Sequence, residues 1–139
     1  MPETSKQPDS NGLQHLQDFF EGKRNLVVLS GAGISVASGI PAYRDKAGNW
    51  KRSTPIQHQD FISRKSARQR YWLRSYSGWP AVASAVPSPS HHVIAELERL
   101  KIVKMVVTQN VDRLHQYAGS RNVIDLHGRL DEVICMCCH

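Results

Sequence analysis

The chain has 139 residues, of which 40% are hydrophobic and 22% charged, and its formal net charge is +6. That length allows one domain, or a piece of one, and the composition is that of a globular protein rather than a chain too polar to bury a core. No apolar run approaches the roughly 20 residues that span a bilayer, which excludes a transmembrane helix, and the positive excess by itself selects no partner.

Residues 1–12 are polar, with Pro2, Pro8 and Gly12, and read as a mobile tail. This stretch lacks an apolar signal core and carries Glu3 and Asp9 beside Lys6, so neither a secretory nor an organellar address is evident and cytoplasm is the expected compartment. From residue 13 the apolar positions Leu13, Leu16, Phe19 and Phe20 mark one face of a short helix that is expected to pack on something. Residues 25–30, Asn-Leu-Val-Val-Leu-Ser, are a β-branched and leucine run ended by Gly31, the pattern of a strand buried on both faces of a parallel sheet.

The span 45–89 is too long for a bare connection and reads as an insertion that carries function, with a helix over 66–76. Basic residues crowd into 51–74, where Arg64 and Arg68, and Arg70 and Arg74, stand at i, i+4; this reads as a solvated face. A second helix is expected over 90–100, with Ser90 as N-cap and Val93, Ile94, Leu97 and Leu100 as its apolar face. His91 and His92 at its start read as capping or surface residues. Further strands follow at Val103–Thr108 and at residues 123–126. Strands alternating with helices imply an α/β fold with a parallel sheet of about three strands.

Ser30-Gly31-Ala32-Gly33-Ile34-Ser35 after a buried strand has the small residues that let backbone N–H groups approach a pyrophosphate at a helix N-terminus. Taken alone, the same turn serves equally to reverse the chain, and the third glycine of the usual dinucleotide fingerprint is replaced, since Val36 follows Ser35. Asn110 and Asp112 sit just past the second strand, where ligands bind in open α/β sheets; alone, Asn-x-Asp is also an ordinary turn. His127 follows the third strand and is either structural or a proton acceptor near neutral pH. His115 reads as local packing. Cys135, Cys137 and Cys138 all fall in the last five residues, which argues against a disulfide framework and for a metal module, with a redox dithiol as the lesser alternative.

The run from Gly31 to Arg44, Gly-Ala-Gly-Ile-Ser-Val-Ala-Ser-Gly-Ile-Pro-Ala-Tyr-Arg, resembles the sirtuin signature. The resemblance continues, in the family's order, through Thr108-Gln109-Asn110-Val111-Asp112, Leu114-His115, Leu126-His127-Gly128 and Cys135-Met136-Cys137-Cys138, and covers essentially everything after residue 13. Pro55-Ile56-Gln57-His58, the Arg68-to-Trp72 stretch and Gly78-Trp79-Pro80 are similar to the class II branch, whose animal members are mitochondrial, so a mitochondrial location is the alternative.

The resemblance implies an NAD-dependent protein-lysine deacylase that yields nicotinamide, the free amine and 2′-O-acyl-ADP-ribose, on a Rossmann-like domain spanning 13–134 with the first half of a zinc module at 135–139. It implies a pyrophosphate cradle of Gly31, Ala32 and Gly33, with Ser35 ordering the turn. Ile40 and Pro41 open a loop that closes over the nucleotide, Tyr43 shields the reacting face, and Arg44 offers its donor fork to a phosphate or ribose oxygen. Asn110 would organise the ribose and a water, Asp112 the nicotinamide amide, Gln109 the ribose edge, with Val111 between them in the motif. His127 would take a proton from a ribose hydroxyl so that this oxygen attacks the alkylimidate. Cys135 and Cys138 would be two of the four thiolates of a structural zinc, with Cys137 outside the set. Tyr71 and Arg74 resemble the pair that binds acidic acyl groups in some sirtuins.

Acyl-lysine proteins are the implied partners, while a membrane or nucleic acid is not. Ala42 stands where the family has an acid. The second zinc pair and the further strands of a complete sirtuin are not in this sequence, so it reads as an incomplete chain, with its first strand an open apolar edge, poorly stable and inactive alone. A non-catalytic binder of NAD, ADP-ribose or a partner protein is the competing reading.

Overall fold

The computed structural model describes residues 10–42, 45, 47–49, 51 and 55–138. Helix α1 spans Ser10–Phe20 and strand β1 Leu26–Ser30, followed by a 3-10 helix over Ala32–Ser38. Next come α2 (His58–Ser63), α3 (Lys65–Ala83), α4 (Pro89–Arg99), β2 (Val103–Thr108), α5 (Leu114–Tyr117) and β3 (Val123–Asp125). The strands form one parallel sheet in the order β1-β2-β3, as the alternation of strands and helices implied. Among the described residues no helix is long and apolar enough to cross a membrane.

Register sets up the site. Ser30 pairs with Thr108 and Thr108 with Asp125, so all three strands end at one level and their outgoing loops leave the sheet side by side. The loops that follow carry the Gly31, Asn110 and His127 motifs.

Helix α4 begins two residues earlier than its apolar periodicity suggests. Ser88 is the N-cap, Pro89 occupies the first turn, where its missing N–H costs nothing, and His91 closes a capping box by accepting the Ser88 N–H at 3.1 Å. The Ser90 assignment is corrected accordingly. Helix α3 runs past the expected end at Tyr76 through Gly78 and Pro80 to Ala83. Pro80 removes one helical N–H, yet the helix continues past it to Ala83. Arg68 joins α3 to α2 by donating to the Phe61 and Ile62 carbonyls at 3.0 and 2.7 Å, which satisfies the open C-terminal end of the shorter helix.

Two expectations about burial are corrected. Strand β1 alternates: Leu26, Val28 and Ser30 face inward, while Val27 and Leu29 are 58% and 67% exposed. A continuous apolar run cannot say whether one sheet face or both is covered, and here only one is covered among the described residues. Helix α1 likewise leaves Leu13, Leu16 and Phe19 about half exposed, and it starts at Ser10, inside the span read as a tail.

The buried residues are mostly polar. Against Ala67, Val103, Val106 and Leu114 stand Ser30, Ser35, Ser88, His91, Thr108, Asn110, Asp112, His115 and Ser120. A core of that kind holds only through hydrogen bonds, because each unpaired buried polar group costs about 1–3 kcal/mol. These bonds lie at the carboxyl end of the sheet.

Candidate functional site

Ser35 is the centre of the arrangement. Its hydroxyl, 1% exposed, donates to Asp112 Oδ2 at 2.7 Å and accepts from Asn110 Nδ2 at 3.0 Å. The same Asn110 amide donates to the Gly31 carbonyl at 3.1 Å, and the Asn110 backbone N–H donates to Thr108 Oγ1 at 3.1 Å. Asp112 Oδ1 accepts the Leu114 N–H at 3.0 Å, which starts α5. The turn after β1 and the turn after β2 are thus bolted together by three side chains, with both Asn110 amide hydrogens in use and its amide oxygen left as a possible acceptor for a ligand.

The expected helix N-terminus after Gly31 is a 3-10 helix of 7 residues, so its dipole is shorter than that of an α-helix. Gly39, at φ 85°, ends it in the left-handed region that glycine adopts without strain. A Cβ built on Gly31 or Gly33 would meet nothing within 4 Å. Open space over both glycines is the shape a phosphate-bearing ligand needs, and in this respect the turn fits a dinucleotide.

Ala32, Ser35, Ile40, Val82, Asn110, Val111, Asp112 and Leu130 line one small cavity. A neighbouring cavity of about 100 Å³ shares Val82, Val111, Asp112 and Leu130 and adds Trp79, Ala83, Arg113, Tyr117 and Asp131. Six residues named from the sequence, Ala32, Ser35, Ile40, Asn110, Val111 and Asp112, therefore meet in one place. Pro41 lies exposed beside Ile40. Tyr43, Arg44 and His139 lie outside the described residues.

His127 is exposed, and its Nδ1 is 3.0 Å from the Gln109 carbonyl oxygen. A carbonyl only accepts, so Nδ1 carries the proton and Nε2 presents a lone pair to solvent. Gln109 is itself fixed by its backbone N–H to Ser30 O at 3.0 Å.

Tyr71 and Arg74 lie on adjacent turns of α3, and neither lines either of these two cavities; α3 contributes Trp79, Val82 and Ala83 to them instead. Tyr71 packs edge-on against Phe61 and Trp72, with ring centroids 5.0 and 5.5 Å away. Cys135, Cys137 and Cys138 are exposed free thiols at a turn. The backbone N–H groups of Cys137 and then Cys138 hold the Cys135 thiol below its ordinary pKa, which favours the thiolate a metal binds. Among the described residues no group of three or more His, Cys, Asp or Glu side chains is placed to hold a metal.

Sequence reasoning missed the support beneath the site. Ser30 Oγ donates to Thr108 Oγ1 at 2.8 Å and lies 2.8 Å from His115 Nε2; the His115 ring meets His91 edge-on, with centroids 4.8 Å apart. His91 bonds Ser88, whose hydroxyl donates to the Ile34 carbonyl at 3.2 Å. Burial, above all, pushes both imidazoles below their ordinary pKa. The one available signal was a polar residue closing each apolar strand, Ser30 and Thr108. Val82 and Leu130 carried no signal.

Residues 31–139 match the family model described as the Sir2 family. The chain is 56% identical over 126 residues to an NAD-dependent protein deacetylase of Bordetella pertussis, covering 91% of this chain and 46% of that protein. It is 47% identical over 129 residues to the NAD-dependent protein deacylase Sirt4 of Drosophila melanogaster, covering 91% and 41%. A solved structure of Sir2 with a p53 peptide and NAD+ superposes with a TM-score of 0.75 at 35% identity, over 91% of this chain and 50% of that one. Another, solved for the mechanism and regulation of Sir2 enzymes, gives 0.76 at 37% identity over 94% and 52%. The chain spans about half the length of the curated relatives it matches.

Proposed function

The chain belongs to the Sir2 family, and on that premise we propose that it forms the part of an NAD-dependent protein-lysine deacylase that holds the nicotinamide-ribose half of NAD. The co-substrate supplies the glycosidic bond whose cleavage leads to nicotinamide, the deacylated lysine and 2′-O-acyl-ADP-ribose. The observation that carries this reading is the buried Ser35–Asn110–Asp112 network, which fixes two loops at level strand ends with the His127 ring tethered beside them.

Each residue has a task that follows from its setting. Gly31, Ala32 and Gly33 bind the pyrophosphate through open backbone. Asn110 orients the ribose with its amide oxygen, and Asp112 receives the carboxamide N–H groups on carboxylate oxygens already aligned by Ser35 and Leu114. Gln109 borders the ribose, and Ile40 with Val111 keeps water from the cavity. Pro41 continues the covering loop; Tyr43 is the residue proposed to shield the reacting face and Arg44 the one proposed to meet a phosphate or ribose oxygen. His127 accepts a ribose hydroxyl proton at Nε2.

Cys135 and Cys138 supply two thiolates of a structural zinc, which cross-links its module and takes no part in the reaction; the lowered Cys135 thiol supports this. Tyr71 and Arg74 are the pair proposed to meet an acidic acyl group.

Nicotinamide release from NAD with an acetyl-lysine peptide, run beside calorimetry with NAD, tests the reading. Turnover that His127→Ala lowers by about 100-fold or more, with NAD binding retained, supports it. NAD binding with no turnover, even when this chain is joined to the remaining half its relatives have, would instead mark a non-catalytic binder, and absence of NAD binding would sink the assignment.

A further inference from the structure

Arg113 follows Asp112 and holds φ 66°, ψ 11°, the left-handed region in which glycine is at ease and a side chain is strained. A strained residue persists where its surroundings over-determine it. Here the cause is visible: Arg113 Nη1 lies 2.5 Å from Asp125 Oδ2, and Gln116 Nε2 donates to both oxygens of the same carboxylate at 3.1 and 3.2 Å. The two charged side chains are only 22% and 16% exposed, which separates them from solvated surface pairs of little consequence.

Asp125 closes β3, two residues before His127, and Arg113 belongs to the loop that carries Asn110 and Asp112. Around the pair the two loops are tied by backbone bonds, Leu126 N–H to Thr108 O at 2.9 Å and Leu130 N–H to Val111 O at 3.1 Å. Among the described residues the His127 side chain has one tether, the Gln109 carbonyl. The Arg113–Asp125 ion pair adds a side-chain tie between the two loops to these backbone ones.

We propose that Arg113 and Asp125, braced by Gln116, are positioning residues that hold the His127 ring in its Nδ1–H tautomer in register with Asn110 and Asp112. The proposal rests on the reading of His127 as the proton acceptor, and it adds what keeps that acceptor aimed. Arg113 touches no reacting atom; it acts through the loop.

The test is the ¹⁵N spectrum of histidine-labelled protein, at a pH where the imidazoles are neutral, combined with amide hydrogen exchange. The unaltered chain shows His127 protonated at Nδ1. Arg113→Gly relieves the backbone strain but removes the guanidinium, and Asp125→Asn keeps shape but removes charge. Both shift His127 toward the Nε2–H form and speed exchange at the Leu126 amide by about tenfold or more, while the β1–β2 amides keep their protection as evidence of an intact fold. Arg113→Lys, which restores a cation, recovers most of the Nδ1–H signal. An unaltered ring without the Nδ1–H tautomer, or clamp variants that keep it, overturns the proposal. A tautomer that shifts as described in a protein that binds no NAD would leave the clamp standing and remove the deacylase reading instead.

Discussion

Acid should loosen this protein well before its carboxylates protonate, and the cause is the His91–His115 pair. His91 is fully buried, and its Nδ1 accepts the Ser88 N–H, so the ring is neutral with its proton on Nε2. His115, 1% exposed, sits with Nε2 at Ser30 Oγ, and its Nδ1 and the His91 Nε2 are both buried with no partner among the described residues. Burial lowers both pKa values first. His92 lowers His91 further, and His91 lowers His115, while Asp112, with Asp125 for His115, pulls the other way without prevailing. With the folded pKa below the unfolded value of 6.5, the unfolded chain binds more protons below that pH, so stability is lost as pH falls through it.

The limit set by the unfolded state alone is about 1.3 kcal/mol per imidazole between about pH 7 and pH 5.5, or about 2.5 kcal/mol for the pair. Urea denaturation followed by tryptophan fluorescence at the two pH values measures it. His115→Gln keeps a donor for Ser30, and His91→Asn keeps an acceptor for the Ser88 N–H, so each should remove about half of the pH-dependent loss. If both variants lose stability with acid as steeply as the unaltered chain, the imidazoles are not held neutral and the reasoning fails.

Two further outcomes follow from the site. Ser35→Ala strands the Asn110 amide and the Asp112 carboxylate and should cost about 1–3 kcal/mol in thermal or urea unfolding, with weaker NAD binding by calorimetry; an unchanged midpoint would show that the network is not holding the loops. Cys135, its thiol lowered by neighbouring backbone N–H groups, should be alkylated by iodoacetamide ahead of Cys137 near neutral pH, as read by peptide mass mapping, and added zinc should protect it. Equal rates at both thiols would argue against a preformed thiolate position.

The parts of the fold that were legible in the sequence were those with a period. Strands β1, β2 and β3 and their parallel order follow from apolar runs alternating with helical faces, and α4 from the spacing of Val93, Ile94 and Leu97. Readings failed where a local rule was outweighed by context. The helix expected over 66–76 continues through Gly78 and Pro80 to Ala83. Ser90 stands before the apolar face, yet Pro89 favours the first helical position and moves the cap to Ser88. The run of β1 looks buried throughout, but pattern does not count the layers above it, and Val27 and Leu29 are open. At the site, motif residues could be named one by one, while the bonds among them depend on register. Nothing in the order of residues says that Ser30 and Thr108 end level, and that pairing is what links His115, through Ser30 and Thr108, to the Asn110 backbone.

That register also explains why so small an apolar core is tolerated at this end of the sheet. Ser30, Thr108, Asn110, Ser35 and Asp112 satisfy one another in a chain from the β1 turn to the start of α5. Each bond used internally is a dipole that can no longer turn toward solvent, so the groups still uncommitted keep their direction before any ligand arrives. Among the described residues these are the His127 Nε2 and the Asn110 amide oxygen, beside the open space over Gly31 and Gly33. An apolar core would have stabilised the same loops by area, without orienting any of these groups. The polar burial at the sheet's end is therefore the physical basis of the site, and the loss of any one bond within it should register at His127 or Asn110 before it registers in the fold as a whole.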